Sequence, residues 1–79
     1  MQGAEPLIQW IVAVQLITTG QQPGRLAQFE TNEKMCREMA RDVRPGTRLL
    51  ATVDGRNVPV FFSACWRAEN GILAEEIKP

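Results

Sequence analysis

The sequence predicts an α+β domain: a four-stranded antiparallel sheet in the order ββαββ, with one helix packed on one face. Three observations carry this. Residues 7–18 alternate along a run rich in Ile, Val and Leu, residues 29–43 repeat apolar side chains at helical spacing, and Asp54-Gly55 separates two further β-type runs. Two strands, a helix and two strands, joined by short connections, can bury apolar surface only by layering the helix on the sheet.

In the first run, Trp10, Val12, Val14 and Leu16 fall on one side, and Gln9, Ile11, Ala13, Gln15 and Ile17 on the other. A helix would leave a polar arc that these residues do not provide, and β-branched residues favour the strand. Residues 20–24, GQQPG, are turn formers, and residues 25–29 resume an extended segment, so a hairpin with a flexible tip is expected. No charged residue occurs between Pro6 and Gly24. An exposed strand edge is normally guarded by charge, so this hairpin is expected to pair its edge with something.

The helix is read from FETNEKMCREMARDV. Met35, Cys36, Met39, Ala40 and Val43 fill one arc, and Lys34, Arg37, Arg41 and Arg44 lie opposite. Thr31 is the expected N-cap and Glu33 complements the helix dipole, which places the helix over residues 31–44. Pro45-Gly46 ends it.

Residues 47–53 and 58–66 read as a second hairpin around Asp54-Gly55-Arg56-Asn57. Pro59 has no N–H to give a ladder, so irregularity is expected there. Strict alternation puts Val58, Val60, Phe62, Ala64 and Trp66 on one face and Phe61, Ser63, Cys65 and Arg67 on the other. The chain is read as a single domain over residues 1–79, with residues 1–5 and 71–79 as frayed tails or, for the second, one turn of helix.

Composition excludes more than it identifies. A chain of 79 residues with nine basic and nine acidic groups is a small globular domain without the charge excess of a polyanion-binding protein. At this size a single core supplies only about 3–5 kcal/mol, so a staple or a partner is expected. The absence of histidine removes the commonest general base and transition-metal ligand. No catalytic residue, metal ligand or cofactor site is assigned, and the chain is read as non-enzymatic. The apolar run is too short and too polar to cross a bilayer, so no membrane partner is expected. Compartment stays open: cytoplasmic if Met1 is native, periplasmic if a signal peptide has been removed.

Two groups of residues are candidate sites. Cys36 on the apolar arc and Cys65 in the last strand are placed to form a disulfide, or to lie as two buried thiols, and both readings stand. The ridge of Lys34, Arg37, Arg41 and Arg44 is either a solvated face, with Glu30 to Lys34 and Glu33 to Arg37 as i, i+4 pairs, or a grip for phosphates or an acidic partner. No aromatic residue interleaves the ridge, and nucleic acid is the lesser expectation.

With Phe29, Thr31, Cys36 and Cys65 in place, the layout resembles a diffuse group of small bacterial and phage-encoded ββαββ proteins with one cysteine in the helix and one in the last strand. The resemblance supports the fold and the cysteine pairing and implies no activity. The expected function is a protein-interaction module, of the kind a phage or mobile-element accessory protein uses to bind a host or sister protein, with homodimerisation through a sheet face or edge. The alternative is a nucleic-acid-associated protein using the helix ridge.

Overall fold

A computed structural model describes residues 5–17 and 26–79. The protein is a small α+β fold with one helix and a curled antiparallel sheet. In chain order the elements are β1 (Ile8–Leu16), β2 (Leu26–Thr31), α1 (Glu33–Asp42), β3 (Arg48–Val53), β4 (Arg56–Glu69) and β5 (Ile72–Glu76). The strands are ordered β2-β1-β4-β3, and β5 also pairs with β4, beside β4's C-terminal half. The tip at residues 20–24 lies outside the described residues.

β1 is central, with β2 on one side and β4 on the other. That accounts for its lack of charge: both edges of β1 are paired within the chain, and a central strand needs no charged guard. Pairing expected at the first hairpin's edge is thus satisfied for β1 internally, and the open edge belongs to β2.

β4 is the spine. It runs for 14 residues, pairing β1 along one side and β3 and then β5 along the other. Two turns of the same kind flank it. Asp54 (φ 50°) with Gly55 (φ 78°) joins β3 to β4, and Asn70 (φ 52°) with Gly71 (φ 83°) joins β4 to β5. Consecutive left-handed residues give a turn whose twist matches that of the paired strands, and Asp, Asn and Gly tolerate the conformation best. Asn70 also anchors the start of β1: its side-chain oxygen accepts from the Leu7 N–H at 3.0 Å, and its own N–H donates to the Leu7 carbonyl at 2.9 Å.

Three expectations need correction. The tail neither frays nor turns into a helix over residues 72–76 but forms β5, and Ile77 beyond it is buried, its N–H donating to the Cys65 carbonyl at 2.8 Å. Residues 1–4 lie outside the described residues. Thr31 does not cap the helix, because it is the last residue of β2, opposite Trp10. Asn32 is the cap, accepting the Met35 N–H at 2.8 Å through its side-chain oxygen, and the helix covers Glu33–Asp42 rather than residues 31–44.

The third correction concerns β4. Pro59 leaves the β3 ladder intact, opposite Leu50. Its carbonyl accepts from the Ile17 N–H at 3.3 Å, so its ring nitrogen faces β1, just past the last ladder pair Leu16 and Val60, and not β3. The irregularity falls at Ser63 instead. Ala13 pairs with Ala64 and Val14 with Phe62, leaving Ser63 as an extra, exposed residue. The bulge resets the alternation, so Val60, Phe62 and Cys65 share the inner side with Val12 and Val14, while Phe61, Ala64 and Trp66 share the outer one. Strict alternation had placed Cys65 away from Phe62.

Replacing the cap tests the helix boundary. Asn32→Ala leaves the Met35 N–H without its side-chain acceptor and is expected to cost about 1 kcal/mol. Thermal unfolding should then show a melting temperature lower by about 4–8 °C.

Candidate functional site

Cys36 and Cys65 are joined by a disulfide across 29 residues of sequence, with Cα atoms 5.6 Å apart, and both are fully buried. Helical spacing brings Cys36 to the underside of α1, and the Ser63 bulge turns Cys65 up to meet it. Met39, Ala40 and Val43 pack against the same cluster, whose other members include Val12, Val60, Phe62 and Ile77. The bridge is a structural staple. Both sulfurs are taken up by the bond and shielded from solvent, so neither is a nucleophile in this state.

The basic ridge is not one continuous surface feature. Lys34, Arg37 and Arg41 lie on α1, but Arg44 lies beyond its end, in the turn closed by the Thr47 N–H donating to the Arg44 carbonyl at 3.0 Å. Arg37 donates to Glu33 one turn earlier at 2.8 Å and lies over the Trp10 ring, 5.4 Å from its centroid. The Trp10 face is thereby covered by a cation that also has an acidic neighbour. Arg41 is forked onto Asp42 at 2.8 and 2.9 Å. That hydrogen bond holds the Asp42 carboxyl below its ordinary value, and Asp42 raises Arg41 in return. The Glu30 to Lys34 pair expected on one helix does not form, since Glu30 belongs to β2.

Two apolar surfaces lie outside these candidate residues: an uncovered face of the sheet, which the homodimer expectation called for, and an inner groove, which went unread in the sequence. On the outer side of the sheet, Ile11, Ala13, Ala64 and Trp66 are half-buried, and Leu26, Leu50, Phe61 and Leu73 are exposed. No described element lies over them. On the inner side, a groove of about 270 Å³ opens beside Met39, floored by Val12, Val14 and Val60. Its walls come from β2 and β3, strands separated in the sheet by β1 and β4, so the sheet is curled enough to bring its two edges round a common space. The signal for the first surface was the run of alternate apolar residues on both faces of β4. The second depends on curl, which has no local signature.

Among the described residues, no group of three or more His, Cys, Asp or Glu side chains could hold a metal ion, and no helix is long and apolar enough to cross a membrane.

Two measurements check this geometry. Protein purified without reductant should weigh two hydrogens less than its reduced form, and the Cys36→Ala/Cys65→Ala pair should lose about 3–4 kcal/mol, the loop-closure value for such a span. Two thiols that alkylate freely in the native, unreduced protein would contradict the bridge. Asp42 should titrate below the usual aspartate range and return to it in Arg41→Ala. Because its folded value is depressed, the stability it adds is present above the unfolded value and is lost as pH falls through the folded one.

Comparison with protein-family models, with curated proteins and with solved structures gives no match to this chain.

Proposed function

We propose that the chain is a small non-enzymatic protein-interaction module that binds through the outer face of its sheet, and that it pairs with a second copy as a homodimer. The observation that carries this reading is the outer apolar surface around Trp66 and Phe61, Phe61 being 38% exposed, Leu50 69% and Leu26 79%. With a single helix serving one face of the sheet, the other face has no cover from the chain itself among the described residues. Several large apolar side chains exposed on one face mark an interaction site more often than a free surface. A small core adds to the argument, since a two-fold partner burying the same patch on both copies would supply stability that so short a chain lacks. An accessory role for a phage or mobile element rests on the resemblance of the layout alone.

The reading as a nucleic-acid-associated protein draws less support. Two of the four ridge cations are engaged by Glu33 and Asp42, and the formal net charge is zero.

Light scattering on a size-exclusion column at micromolar concentration should report about twice the 8.9 kDa chain mass. Phe61→Lys, at a position already partly open to solvent, should shift the protein to monomer by placing a charge in the buried patch. A monomer persisting to about 100 µM, where a weak specific dimer would form, overturns the dimer.

A further inference from the structure

We propose that the groove between β2 and β3 is a strand-docking slot that takes an extended peptide segment of another protein. This goes beyond the outer-face reading and concerns the opposite side of the sheet. The case rests on which way the backbone groups of the two walls point. Ile17 donates to Pro59, and Asn70 donates to the Leu7 carbonyl, so residues 7 and 17 of the first segment face β4. Alternation then turns Trp10, Val12 and Val14 toward β2, where they meet Thr31, Phe29 and Ala27. The intervening Gln28 and Glu30 therefore direct their N–H and C=O groups away from the sheet. The same holds for β3. Phe62 exchanges bonds with the 46–47 turn, so Val60 and Val58 face β3 and engage Leu49 and Ala51, which leaves Leu50 and Thr52 directed outward.

Glu30, Leu50 and Thr52 all line the groove. Its two walls thus present to one space backbone donors and acceptors that no described strand pairs, above a floor of Val12, Val14 and Val60. Only extended backbone matches a strand edge in both spacing and alternation of donors and acceptors, and alternate side chains of such a segment would enter the apolar floor. β2 and β3 run in opposite directions, so a docked strand is antiparallel to one wall and parallel to the other. The side chains narrow the partner further. Glu30 pairs with Ile11 and so turns its carboxylate to the outer side, which leaves the slot itself apolar and favours a segment whose alternate residues are apolar. A fatty acid suits the floor, but no Lys or Arg lines the groove to receive its carboxylate.

The probe is a capped synthetic peptide in which valine alternates with threonine and lysine, added to the isotope-labelled, disulfide-intact protein. Amide shifts and hydrogen-exchange protection at Gln28, Glu30, Leu50 and Thr52 are expected below about 1 mM peptide. The same peptide N-methylated at alternate amides keeps its side chains but cannot form a ladder, and should bind at least about tenfold more weakly, a difference of about 1.4 kcal/mol. Ala51→Phe, which fills the slot from β3, should weaken binding as much. The N-methyl comparison decides the matter if that variant does not fold. The proposal is overturned by no change up to about 1 mM, by equal binding of the N-methylated peptide, by laurate producing the same shifts, or by shifts confined to Phe61 and Trp66. The last result would leave the outer-face reading standing alone.

Discussion

The bond between Cys36 and Cys65 ties the helix to the longest strand, and it exists because of one residue that does not bond to either of them. Ser63 is inserted into β4 between partners of Ala13 and Val14, and this reverses which side of the strand every later residue faces. Without that insertion Phe62 and Cys65 would project from opposite sides of the sheet, since a period of two separates them by an odd count. With it, Phe62 stays on the inner side under the helix end and Cys65 joins it there, fully buried against Cys36. The staple compensates for a weak noncovalent attachment, because Cys36 is the only fully buried residue of α1. A disulfide acts largely by restricting the unfolded chain, so it holds the helix in place without demanding more apolar surface from it.

The bulge also shapes the sheet. An extra residue in one strand increases local twist and bends it, and in β4 the bend falls between the segment paired to β3 and the segment paired to β5. One strand can therefore serve two partners along the same side, with the 46–47 turn and Ile77 hydrogen-bonded to β4 between them. The N-terminal half curls toward β2, and the C-terminal half carries β5 and the docked Ile77. Curling gives a short chain some of the enclosure of a barrel while stopping short of closure, and that is why the inner groove has strand edges for walls.

Much of this fold was legible in the residues. The alternation of β1, the buried side of α1 at Cys36, Met39 and Ala40 and the Asp54-Gly55 turn each follow from a local rule and appear where that rule puts them, whereas Met35, read on the same helical arc, is exposed at 48%. Asn70-Gly71 carried the same turn signal as Asp54-Gly55 and pointed to β5, but the acidic, weakly alternating residues after it gave little strand character to set beside it. The cap moved by one residue because Thr31 and Asn32 are both good caps, and the choice was made by the β2 ladder claiming Thr31 opposite Trp10. The bulge could not be read locally. Its cause is the register that β1 imposes on β4 from more than forty residues away. Of the candidate sites, the cysteine pair was visible as two residues on elements that could meet, with bridge and buried thiols both open, and the Glu33–Arg37 pair of the solvated ridge was legible from its spacing, whereas the Arg41–Asp42 contact was not.

Where a chain leaves its apolar surface uncovered is as specific as where it buries it. Here β1 carries no charge and is paired on both sides, while β2 and β3, like β5, each have one side that no described strand pairs, and Leu26 and Leu50 on β2 and β3 are among the most exposed large apolar residues, at 79% and 69%. Edge strands in free monomers are usually blunted by charge, proline or bulges. In this protein Pro59 and one bulge lie in β4, an interior strand, and a second bulge at Ala74 blunts the edge strand β5, whereas the β2 and β3 ladders carry neither device. Under the two proposals made above, the edges of β2 and β3 and the outer face are the surfaces that other polypeptide would cover, and the disulfide holds the helix to the small core whether or not they are occupied.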